Sequence, residues 1–128
     1  MNRKRILKHL VFLMFFLFIL NLIAQEFYWY FTIWYFDIIM HFLSGFWVGL
    51  FFLYVFYNEN LFLKQILTVI LGVLLIGVLW EAFEFFLNII AKEQFNIVDT
   101  ASDIFFDLLG GLCAILYLWE KQQIKQSE

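Results

Sequence analysis

Apolar residues dominate this chain in four long runs, separated by short polar or aromatic breaks. The runs lie at about 9–24, 33–57, 65–91 and 98–119. Each is close to the roughly 20 mainly apolar residues that a helix needs to cross the hydrocarbon core of a bilayer. The breaks are "QEFYWYFT", "NENLFLK" and "KEQFNI". They are too short for a second domain, and the sequence shows no repeat. No proline occurs, so no proline kink or broken span is expected. The pattern predicts an all-α, polytopic membrane protein with four transmembrane helices in a single domain, 1–128.

Composition strengthens this reading. Of the 128 residues, 65% are hydrophobic and only 15% charged, with 19 Phe. A soluble domain carries about 25% charged residues. A water-soluble fold of this chain would expose more Phe and Leu than such a surface tolerates. The expected partner is the lipid bilayer, with the chain multi-pass in the cell membrane. No Gly-rich phosphate loop and no basic patch interleaved with aromatics is present, so no nucleic-acid partner is expected. The one cysteine, Cys113, allows no intramolecular disulfide and reads as a small core residue.

Lys and Arg in the short flanks set the orientation. Arg3, Lys4, Arg5, Lys8, Lys64, Lys121 and Lys125 fall on one side, and Lys92 on the other. Both termini are therefore expected in the cytoplasm. The rings from Phe27 to Trp34 would then mark the outer interface, and Trp119 the inner one. The basic start and short apolar core also resemble a signal peptide with Ala24 before the cleavage point. Leu22 is a poor residue for the −3 position, and the segment is taken as an uncleaved first span.

Ionisable groups within the runs carry the candidate chemistry. Asp37 and His41 share a face of the second span, Glu81 and Glu84 lie in the third, and Asp103 and Asp107 follow Asp99 in the fourth. Each such charge costs several kcal/mol inside a span and normally faces the bundle interior. With three antiparallel spans and about 1.5 Å of rise per residue, all six groups fall in the same, outer half of the bilayer. Helical phase agrees. Asp37, His41, Ser44/Gly45 and Val48/Gly49 form one stripe. Gly77, Glu81, Glu84 and Asn88 form another, and Asp99, Asp103, Asp107, Gly110/Gly111 and Ala114 a third. Small residues let helices approach closely in lipid, and Gly45 and Gly49 make a GxxxG. The first span offers only Asn21 and reads as a supporting helix.

Five carboxyls and one imidazole have no Lys or Arg at their depth. Protonation, water in an open cleft, or a bound cation must compensate them. The donor set suits Mg²⁺, Mn²⁺ or Zn²⁺, so a divalent cation is a candidate cofactor. Asp99 is expected as the N-cap of the fourth helix, Trp80 as a packing residue, and Glu81 and Glu84 as submerged because "FFLNII" follows them.

At these residues the chain resembles a known family. "FDIIMHFLSGF", "LWEAFEFF" and "DTASDIFFDLLGG" are similar to three blocks of the VanZ-like superfamily, most nearly of its YjdF-like (DUF2238) membrane proteins. Asp37, His41, Gly45, Glu81, Glu84, Asp99, Asp103, Asp107 and Gly110 fall on that pattern. Ile38, Glu84 and Asp107 stand where typical VanZ members carry Lys, Gln and Asn. The resemblance implies a bacterial or archaeal envelope protein and names no reaction.

Three functional readings follow. In the first, a small membrane enzyme acts on a lipid or lipid-linked envelope precursor. His41, Glu81 and Glu84 are its candidate catalytic acid/base groups, and Asp37, Asp103 and Asp107 bind substrate or cation. In the second, the chain is part of a proton- or ion-coupled carrier, which would call for a homo-oligomer. In the third, it is a non-catalytic envelope factor whose polar network only fixes helix pairing.

Overall fold

The computed structural model describes residues 3–56, 62–92 and 96–127, excepting the side chains of 91 and 121–127. The expected end of the second span at Tyr57, parts of the second and third connections, and the side chains of Lys121 and Lys125 lie outside the described residues. The helices are α1 (Arg3–Glu26), α2 (Trp29–Thr32), α3 (Phe36–Phe56), α4 (Phe62–Ala91) and α5 (Ile97–Ser127). Among the described residues there is no strand. α1, α3, α4 and α5 are each long and apolar enough to cross a membrane.

The helices overrun the apolar runs. α1 starts at Arg3 rather than His9, and α5 continues to Ser127 rather than stopping at Trp119. Arg, Lys, Glu and Gln are good helix formers, so a helix need not stop where its apolar run does. The aromatic break after α1 contains the single-turn helix α2, which the hydropathy pattern did not reveal. Neither α1 nor α4 ends on glycine. Tyr28 (φ 59°) and Lys92 (φ 58°) instead take the left-handed conformation just past the two helices. A residue there turns the chain out of the helix, at some steric cost for a side chain with a Cβ.

α5 is capped by Asn96 and not, as expected, by Asp99. The Asn96 Oδ1 accepts hydrogen bonds from the Val98 and Asp99 amides at 3.0 and 3.2 Å, and its carbonyl accepts from Thr100 N at 3.1 Å. Asp99 sits inside the first turn and is exposed, where its charge faces the positive end of the helix dipole. Asn96→Ala is expected to cost about 1 kcal/mol, read as a lower thermal unfolding midpoint in detergent. Asp99→Ala should cost less than half of that.

α3 is the central helix, packing mainly on α5 and also on α4 and α1. Among the described residues, α1 and α4 make no close backbone approach, sharing only the apolar cluster at one end. α1 is held in part by two hydrogen bonds: the Trp47 indole N–H donates to the Leu10 carbonyl at 2.8 Å, and His9 Nδ1 and the Tyr117 hydroxyl are 2.8 Å apart. One end of the bundle is closed by an apolar cluster that includes Ile6, Leu10, Leu53, Val69 and Leu118. Ala24, Phe36 and Met40 form a smaller cluster under α2 at the other end. The outward faces are apolar, with Phe12 and Leu63 about three-quarters exposed, as lipid-facing surfaces require.

The closest helix approach is α3 against α5. A Cβ on Gly45 would strike the backbone of Asp107, and one on Gly110 would strike the Phe42 carbonyl. Gly49 lies over Gly111, whose Cα is 2.9 Å from where a Gly49 Cβ would stand. The small-residue stripes of the second and fourth spans thus face each other. On α4 the inward face is Gln65, Val69, Val73, Gly77 and Glu81, spaced four apart. This spacing drives one polar and small stripe into the bundle and leaves the rest to lipid.

Candidate functional site

Three helices bring ionisable side chains to one place. His41 follows Asp37 by one turn at the start of α3, while Asp103 and Asp107 are one turn apart on α5. The Gly45–Gly110 approach holds those two faces together. His41 Nδ1 is 3.0 Å from Asp107 Oδ1 and donates to it in one tautomer. His41 Nε2 is 3.4 Å from Asp103 Oδ2 and 3.6 Å from Asp37 Oδ1. The imidazole therefore meets three carboxylates. His41, Asp103 and Asp107 are buried, and Asp37 is partly exposed.

α4 closes the third side. Gly77 makes room for Asp107: a Cβ there would stand 3.0 Å from Asp107 Oδ2. Glu81 is buried, and its Oε1 has no hydrogen-bond partner. Glu84 is half-buried and accepts a hydrogen bond at 3.0 Å from the indole N–H of Trp80. Trp80 itself is exposed and stacks at a tilt on Phe83, so it orients Glu84 as well as packing. Single oxygens of Glu81, Glu84 and Asp103 all lie within 4.8 Å of one another, as do ligand atoms of Asp37, His41 and Asp103. Asp103 belongs to both groups. All six residues singled out in the sequence meet at the α2 end of the bundle. Asn88, assigned to the same stripe, is partly exposed.

The unpacked space between α1 and α4 is a cavity of about 550 Å³. Asp37, His41, Glu84 and Asp107 line it, and Glu81 and Asp103 are not among its lining residues. Leu17, Phe18, Val73 and Ile76 make apolar sides. Asn21 and Gln25 of α1 also reach it, so the first span contributes to the site as well as supporting it. The sequence pattern did not single out Tyr30, whose hydroxyl donates to Asn21 Oδ1 at 2.6 Å and ties α2 over the cavity. Burial and the nearby Asp37 charge both raise its phenol pKa, which keeps that donor protonated throughout the neutral range. Only its place in an aromatic-rich break could have flagged it.

These features define a polytopic helical membrane protein with a carboxylate–imidazole cluster lining an interhelical cavity. The chain belongs to the family described as "Predicted membrane protein (DUF2238)", whose sequence pattern matches residues 1–123. No curated protein and no solved structure matches the chain.

Proposed function

We propose that the chain is a VanZ-like protein of the bacterial or archaeal cell membrane that acts on a lipid or lipid-linked envelope precursor. The observation that carries this is the cavity between α1 and α4, with apolar sides and His41 in its lining. Its size is within the roughly 300–1,000 Å³ of small-molecule sites. In a bilayer, a gap between two unpacked spans opens toward the acyl chains. An amphiphile can then slide in sideways, tail outward, and bring its head to His41 and Glu84. His41 is the acid/base: Asp107 orients the ring through Nδ1, and Asp37 and Asp103 flank Nε2. Glu84 lines the same cavity and would meet the head group beside His41.

The Lys and Arg distribution favours both termini in the cytoplasm, which puts the cavity in the outer half of the bilayer. A carrier would need access from both sides. The apolar cluster filling the opposite end weighs against that reading. A purely structural network is the remaining alternative, because the same contacts pin α3 to α5.

Mass spectrometry of polar lipids from cells overproducing the chain separates these readings. The wild type is expected to deplete or accumulate at least one lipid species. His41→Gln and Glu84→Gln, present at equal levels in the membrane, should abolish that change. Lipid profiles that match the empty-vector control for the wild type, or persist in both variants, would rule the enzyme reading out.

A further inference from the structure

Glu81 poses a question that the acid/base reading leaves unanswered. It is 6% exposed, and its Oε1 is buried with no hydrogen-bond partner. Burying a carboxylate oxygen without any partner is strongly unfavourable. Two further carboxylates converge on the same point, so like charges crowd there as well. Among the described residues, no Lys or Arg pairs with them. α3 contains none, and the nearest basic residue along α4 toward its end is Lys92, eleven positions from Glu81. His41 is 3.4 Å from Asp103 but forms no ion pair with Glu81 or Glu84 among the described residues.

We infer that Glu81, Glu84 and Asp103 hold a hard divalent cation of the Mg²⁺/Mn²⁺ class. Three oxygens within 4.8 Å of one another can be drawn onto one ion. The described donors converging there are all carboxylate oxygens, which suits Mg²⁺ and Mn²⁺ rather than softer metals. Glu81 and Glu84 are three residues apart on α4, a spacing that puts both on one helix face. Asp103 approaches from α5, so the ion would clamp the two helices. It would give Glu81 Oε1 its missing partner and neutralise two of the three charges. Glu84 lines the cavity and Glu81 and Asp103 do not, so the ion would sit at the cavity's edge, held partly by a cavity-lining carboxylate. Such ions commonly keep several waters, which leaves positions for an oxygen ligand arriving there. The site does not depend on the lipid reading and stands if no lipid is turned over.

Mn²⁺ binding to the full chain in detergent tests it, followed by the loss of the free-ion electron paramagnetic resonance signal. One Mn²⁺ per chain is expected, displaceable by Mg²⁺. Glu84→Gln and Asp103→Asn should each weaken binding at least tenfold. Glu81→Gln is the sharpest variant. If it fails to fold, Glu84→Gln reads the same site from a half-buried position. Absence of saturable Mn²⁺ binding below about 1 mM, or equal binding by Glu84→Gln and Asp103→Asn, overturns the assignment. Either result would leave carboxyls that share protons as the explanation of the cluster.

Discussion

Gly110→Val is expected to leave little folded protein after extraction from the membrane, with a loss of at least about 3 kcal/mol where it can be measured. The reason is where the new atoms would land. A Cβ at Gly110 meets the Phe42 carbonyl and lies 2.6 Å from the Phe46 amide nitrogen. Those are backbone atoms of a helix, and no rotamer change moves them aside. Gly45→Val should behave likewise, because its Cβ would strike the backbone of Asp107. Gly72→Ala is the control. Its Cβ would meet the Phe52 ring at 2.7 Å, and a side chain can swing away. It should cost less than about 1.5 kcal/mol. Thermal melts monitored by size exclusion give the ranking. A Gly110→Val protein as stable as Gly72→Ala would mean that α3 and α5 do not approach at these glycines.

The same contact explains why so much of the site was legible in the sequence. In lipid, the outside of a bundle is as apolar as its core, so hydrophobic periodicity says little about which face points inward. Polar and small residues carry that information instead. Asp37, His41 and Gly45 on one span, and Asp103, Asp107 and Gly110 on another, are spaced so that each acid lies beside the residue that lets the helices close. Short antiparallel connections then fix their depth. The helix ends were less visible. Asn96 rather than Asp99 caps α5, and both lie in the same polar stretch where either would serve. Nothing in "EFYWYFT" distinguishes an interfacial belt from the turn of helix at α2. The cavity was not legible at all. It exists because α1 runs close along α3 and not along α4, and no local pattern encodes the absence of a close helix approach.

His41→Ala is expected to be the most destabilising change at the polar cluster, at about 3–5 kcal/mol. It removes the basic side chain that meets Asp37, Asp103 and Asp107, two of which are buried. Removing one partner of a buried ionic group typically costs that much, because the other is left uncompensated. Asp107→Asn should cost less, about 1–2 kcal/mol. The amide keeps the volume, still fits beside Gly77, and accepts from Nδ1 through its oxygen. The informative protein is the double variant. With His41→Ala in place, Asp107→Asn removes one of the stranded charges. It should then be neutral or restore about 1 kcal/mol, giving a coupling of about 1–3 kcal/mol between the two sites. Unfolding in mixed micelles measures all four proteins of that cycle. Additive losses would show that His41 and Asp107 do not act on each other. The carboxylate–imidazole contact would then be incidental to the fold, and the orienting role given to Asp107 would fall with it.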